Sequence, residues 1–141
     1  MPGMESTQFT RDNLADKLRA HGINPTHQRI EIAFALFSRH EHLSADQVMA
    51  IVNERHSETS KATVYNTLNL FLEQHLIREV IVDPNKVFYD PNTEPHHHLY
   101  NIDTGELADI DASSIEISGL PKLPEGMVTE GVDVIVRVRS R

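Results

Sequence analysis

The run Ser60-Lys61-Ala62-Thr63-Val64-Tyr65-Asn66-Thr67-Leu68-Asn69-Leu70-Phe71-Leu72 decides how the chain is read. On a period of roughly 3.6 residues, Val64, Leu68, Phe71 and Leu72 form one apolar stripe, while Ala62, Asn66 and Asn69 fall on the far side with Lys61 and Tyr65 flanking. Such a helix offers one face to a core and another to something polar. The outward face is small, uncharged at its centre and rich in amide and phenol groups, a chemistry suited to base edges and phosphates in a major groove. An ordinary amphipathic helix with a solvated side would look the same, so the neighbours must decide.

Downstream, His75 breaks the helix, Leu76 to Val82 is rich in Ile and Val, Asp83-Pro84-Asn85-Lys86 makes a turn, and Val87-Phe88-Tyr89 runs on as a returning strand. Upstream, Thr10 caps a helix with Leu14 and Leu18 on one face; Gly22 supplies the left-handed residue that ends it and Ile23 folds back onto Leu18. Pro25-Thr26 opens a second helix, with Ile30, Ala33, Phe34 and Phe37 expected on its core side. Ser44 begins a third: Ser44 with Gln47 fits a capping box, Leu43 with Val48 fits a hydrophobic staple, and Val48, Ile51 and Val52 form its apolar face. A short polar connection, His56 to Thr59, leads to Ser60. Two helices joined this tightly, the second with a polar outer face and a hairpin behind it, make a winged helix-turn-helix.

With 141 residues the chain holds one domain or two small ones, and with no cysteine it has neither a disulfide framework nor a thiolate zinc site. No apolar run approaches a membrane span, and Met1-Pro2-Gly3-Met4-Glu5 shows no basic region followed by an apolar one, so a cytoplasmic protein without a membrane partner is expected. The net charge of -8 is unevenly spread: residues 1–80 carry 8 Lys/Arg against 10 Asp/Glu, and residues 81–141 carry 5 against 11. The acidity sits in the second half, which implies two parts with different tasks. Pro91 to Pro95, polar and twice interrupted by proline, places the boundary near residue 91.

The second part opens on Pro95-His96-His97-His98-Leu99-Tyr100, followed by the turn Asp103-Thr104-Gly105-Glu106 and the strand Leu107-Ala108-Asp109-Ile110-Asp111. A two-residue loop at Thr104-Gly105 would set Asp111 opposite His98 and Asp109 opposite Tyr100. Alternation then points His96 and His98 one way with Asp109 and Asp111, and His97 the other. Imidazoles and a carboxylate on one small face suit Fe(II), Mn(II) or Zn(II) better than soft Cu(I), although a solvated strand end is the plainer reading. Leu120 to Met127 is turn-rich. Val132 to Arg139 is expected as a strand with Val132, Val134, Val136 and Val138 on one face, and a sheet this thin points to dimerisation.

Three signatures together resemble the ferric-uptake-regulator (Fur) family: Gly22-Ile23-Asn24-Pro25-Thr26-His27-Gln28-Arg29; Thr63-Val64-Tyr65-Asn66-Thr67-Leu68 with Leu76-Ile77-Arg78-Glu79-Val80; and His96-His97-His98-Leu99. The ending, Leu120-Pro121-Lys122-Leu123-Pro124-Glu125-Gly126-Met127 with Val132-Asp133-Val134-Ile135-Val136-Arg137, is more similar to the iron-response-regulator (Irr) branch, which is implied to sense iron through haem. The resemblance implies an α+β protein: a winged-helix DNA-binding domain over 1–90, then a small α/β dimerisation and metal- or haem-sensing domain over 91–141. It implies a homodimeric regulator of iron-responsive genes on a palindromic double-stranded DNA operator. A divalent ion (Fe, Mn or Zn) would be held by His42 from the first domain with His96, His98 and Asp109 from the second, so that occupancy could fix the angle between domains. DNA contact would fall to Arg29, Lys61, Thr63, Tyr65 and Asn66.

The chain departs from the family in places. Without cysteine it has no structural four-thiolate zinc and no Cys-Pro haem motif. Tyr89 stands where many members place a metal-binding glutamate, with Asp90 beside it. Glu116 matches a carboxylate of the family's second site, but His97 replaces an acid there. Asn24, His27 and Asn66 replace residues that are usually basic, so phosphate clamping should be lighter. A small metal-dependent hydrolase or a metal-buffering protein built on the His/Asp cluster are the alternatives. The first lacks a helix-borne H-E-x-x-H or comparable set, and the second leaves the winged helix without a task.

Overall fold

The structure, a computed structural model, describes residues 9–39, 42–55 and 59–141. It divides into two compact units between Thr93 and Glu94. The class is α+β, with the α-helices in the first unit.

In the first unit, α1 (Arg11–Ala20), α2 (His27–Phe37), α3 (Ala45–Asn53) and α4 (Lys61–Glu73) precede a hairpin of β1 (Arg78–Asp83) and β2 (Lys86–Asp90). Each helix starts at a hydroxyl that accepts a backbone N–H three residues on: Thr10 from Asn13, Thr26 from Arg29, Ser44 from Gln47 and Ser60 from Thr63. Gln47 returns the bond to Ser44 N at 2.8 Å, completing the expected capping box. Gly22 sits at φ 76°, and Ile23 N donates to Leu18 O at 2.9 Å, the two features of the expected helix stop. His75, at φ 58°, ends α4. Of the expected connection His56 to Thr59, only Thr59, which is buried, lies among the described residues.

The core of this unit is built from Leu14, Leu18, Ile32, Leu36, Val48, Val64, Leu68 and Phe71, all nearly inaccessible. Burying each such side chain stabilises the fold by about 1.5–3 kcal/mol. The expected face of α2 is corrected: Ile32, Ala33, Ala35 and Leu36 are buried, whereas Ile30, Phe34 and Phe37 pack against the core only partly covered. The stripe is rotated because Glu31, also buried, pairs with Arg11 and must itself face inward.

The second unit carries a three-stranded sheet in the order β4-β3-β5, from β3 (His96–Asn101), β4 (Leu107–Asp111) and β5 (Ile135–Val138), with a 3-10 turn at Ala112–Ser114. Strands β3 and β4 are antiparallel, and β5 runs parallel to β3. The register differs from expectation: His96 faces Asp111, His98 faces Asp109 and Tyr100 faces Leu107. The loop is longer than two residues because Asn101 Oδ1 accepts from Asp103 N at 2.9 Å and Thr104 N at 3.2 Å, while Gly105 N donates back to Asn101 O at 2.8 Å. A slip of two keeps every side chain on its expected face, whereas a slip of one would have reversed them all. The last strand is shorter than Val132 to Arg139, and Val132 and Val136 stay well exposed.

Candidate metal centre and candidate nucleic-acid interface

In the first unit, Leu43 and Tyr89 form an isolated antiparallel bridge. Both side chains are buried in the core, and alternation turns their neighbours His42 and Asp90 the other way. His42 Nε2 lies 3.1 Å from Asp90 Oδ2, and both side chains are nearly buried. Asp90 Oδ1 accepts from Asn92 N at 2.9 Å, so the carboxylate is aimed from both ends. Of the two neighbours Tyr89 and Asp90, the structure thus sets Asp90 beside His42 and commits Tyr89 to packing. Burial first, then the charges of Glu79 and Tyr65, raises the Tyr89 phenol above its ordinary range.

In the second unit, His96 and His98 share a face of β3 with Asp109 of β4. Their Nε2 atoms lie 3.3 and 3.6 Å from the same oxygen, Asp109 Oδ1. The two rings meet edge to face, with centroids 4.5 Å apart. His96 and His98 are buried, and Asp109 is half-exposed. His96 Nδ1 lies 2.6 Å from Glu94 O, a group that can only accept, so Nδ1 carries the hydrogen. In the neutral ring Nε2 is then a lone pair pointed at a carboxylate oxygen. An Nε2 lone pair facing a carboxylate oxygen is an arrangement that a bound cation satisfies.

His97 is buried on the opposite face, where its Nδ1 accepts from Val134 N at 3.0 Å and ties β3 to the chain entering β5. That bond occupies Nδ1 and sets His97 apart from the face of His96, His98 and Asp109. Glu116 is exposed in the irregular stretch after the 3-10 turn. The pair His42–Asp90 and the trio His96, His98 and Asp109 therefore emerge as two groups of borderline-to-hard N/O donors, one in each unit.

Helix α4 buries Val64, Thr67, Leu68 and Phe71 and leaves Lys61, Ala62, Tyr65, Asn66 and Asn69 exposed. Thr67 was not legible as a core residue, because a hydroxyl breaks the apolar stripe. Thr63 Oγ1 accepts from Ser60 Oγ at 3.0 Å, so its hydroxyl belongs to the cap as much as to the surface. Lys61 Nζ stands 5.9 Å from the Tyr65 ring, extending the polar face. Arg29, in the first turn of α2, holds Asn24 O at 3.0 Å through one guanidinium nitrogen.

Comparison with known proteins adds an independent line. The family model described as "Ferric uptake regulator family" matches residues 20–134. The peroxide-responsive repressor PerR of Staphylococcus epidermidis is 28% identical over 106 residues, covering 75% of this chain and 71% of that protein. Among solved structures, the ferric uptake regulator of Pseudomonas aeruginosa with manganese superposes with a TM-score of 0.68 at 23% identity, over 89% of this chain and 96% of that one. The Vibrio cholerae ferric uptake regulator gives a TM-score of 0.70 at 19% identity, over 89% and 98%.

Proposed function

The chain belongs to the ferric uptake regulator family, and from that premise we propose that it is a metal-responsive transcriptional regulator which binds a palindromic DNA operator as a homodimer. It is not an enzyme. The observation that carries the reading is the convergence of His96 and His98 on one oxygen of Asp109, a group of N/O donors that a divalent cation would bridge.

The second unit offers three donors, and Fe(II), Mn(II) or Zn(II) ordinarily takes about four to six. In this reading His42 and Asp90 of the first unit complete the shell, so that the ion is held by both units and its binding favours one arrangement of the two. Solved relatives described with manganese, with iron and as a zinc-bound manganese uptake regulator make the same three ions the first to test. The buried rings of His96 and His98 favour a small ion over haem, since a porphyrin would reach their nitrogens only after the surrounding chain opened.

The outer face of α4 would enter the major groove, with Tyr65 and Asn66 toward bases and Lys61 and Arg29 toward phosphates. The deciding experiment is fluorescence anisotropy of operator DNA with chelated protein and with added Mn(II), Fe(II) or Zn(II). Metal-dependent tightening supports the reading; DNA affinity indifferent to every ion would refute it.

A further inference from the structure

Strands β4 and β5 flank β3 and run antiparallel to one another, so the end of β4 and the start of β5 lie at the same end of the sheet and need only a short connection. Here the connection from β4 to β5 runs through residues 112–134, and every residue from 116 to 133 is exposed. Pro121 and Pro124 interrupt any helix, and Gly119 and Gly126 take positive φ with open space where a Cβ would point. Yet the stretch is not uniformly polar. Leu120, Leu123, Met127 and Val128 are 41–89% exposed, a row that solvent alone does not explain.

The sheet has a matching deficit. Its pairing sets Leu99 beside Ala108 on one side and Val136 on the other. With His97, Ile110 and Val138 these residues form the face opposite His96, His98 and Asp109. Apart from His97 and Asn101 at its two ends that face is apolar, and none of its aliphatic side chains is buried: Leu99, Ile110 and Val138 are half-covered, and Ala108 and Val136 are exposed.

One chain thus carries an arm of exposed aliphatic residues and a sheet face whose aliphatic residues are at most half-covered by the described residues. From this complementarity, and resting on the homodimer reading above, we infer that two copies exchange arms, the 116–133 segment of each packing on the Leu99–Ala108–Val136 face of the other. Two-fold symmetry satisfies both deficits at once, because each copy supplies what the other lacks. The arm is long enough: at roughly 3 Å per residue it spans tens of ångströms. Its prolines shorten the list of conformations it gives up on docking.

The absence of native cysteine makes the test direct. Single variants Leu123→Cys, Met127→Cys and Val128→Cys on the arm are each co-expressed with Ala108→Cys or Leu99→Cys on the face, and the full-length proteins are oxidised and run without reductant. Arm exchange predicts a disulfide between the two different variants in at least one pairing, at the yield that random pairing of subunits allows. Sedimentation of the reduced proteins keeps the two claims apart. A dimer in which no arm position links to the face overturns the exchange and leaves the homodimer standing. A monomer at micromolar concentration overturns both. Double variants that close within one chain, giving a monomeric disulfide, show the arm on its own sheet and also overturn the exchange.

Discussion

Leu43 and Tyr89 exchange two backbone hydrogen bonds, Tyr89 N to Leu43 O at 2.8 Å and Leu43 N to Tyr89 O at 3.4 Å, and this bridge places His42 against Asp90. The pair owes its geometry to backbone pairing rather than to loop chance. Asp90→Asn keeps the shape and the bond from Asn92 N but removes the charge. We expect it to weaken Mn(II) or Zn(II) binding by roughly 10–100-fold, the scale of losing a tuned group at a metal site. Competition against a chromogenic chelator measures this. Unchanged affinity would remove the first unit from the site.

A second expectation separates positioning from reading. Asn66 is exposed on α4 with an amide that can pair bidentately with adenine, so Asn66→Ala should cost about 1–3 kcal/mol on the operator and little on random DNA. Arg29→Ala should weaken both alike, because a phosphate contact carries no sequence information. Equal losses on both DNAs for the Asn66 variant would argue against direct readout.

How far the sequence could be read depended on whether the deciding interaction was local. The stops and starts of the helices were legible because Ser44 with Gln47, and Gly22 with Leu18 and Ile23, act across one helical turn. The faces of β3 and β4 were legible because alternation survives a register slip of two. The register itself was not, since the Asn101 side chain closes the turn and no pattern in Thr104-Gly105 reports that. The rotation of α2 escaped for a similar reason: it depends on Glu31 finding Arg11 on another helix. Likewise, nothing near residues 89–90 says that Leu43 will pair with Tyr89 and so turn Asp90, not Tyr89, toward His42.

The Arg11–Glu31 pair supports a third expectation. A cation at the first position of a helix opposes the helix dipole, so Arg11 is placed for its partner: Nε and Nη2 reach the two Glu31 oxygens at 2.5 and 3.0 Å, and the guanidinium lies 4.2 Å from the Phe34 ring centroid. Glu31 is only 6% exposed, whereas Arg11 is 40% exposed, so solvent screens one partner and not the other. Arg11→Met would remove two charge-assisted hydrogen bonds from a buried carboxylate and should cost on the order of 2 kcal/mol, less than for a fully buried pair. Arg11→Met with Glu31→Leu should recover most of that loss. Urea denaturation of both variants reads this, and a double variant no more stable than the single one would refute the assignment.

The last expectation concerns alkaline pH and follows from Tyr89. Its phenol is raised above the ordinary value of about 10, by burial first and then by Glu79 and Tyr65. A group whose folded pKa is raised holds its proton in the native state after the unfolded chain has begun to release it. Stability is therefore intact below about pH 10 and is lost as pH climbs through the ordinary tyrosine range toward the folded value. Tyr89→Phe keeps the ring in the core and removes the ionisation. Denaturant midpoints of chelated protein, taken between about pH 8.5 and pH 11, should fall more steeply for the native chain than for Tyr89→Phe, with the curves converging at the lower end apart from a constant offset. Parallel curves would mean that the phenolate is accommodated where it stands, and that the turn of Tyr89 into the core owes nothing to its being neutral.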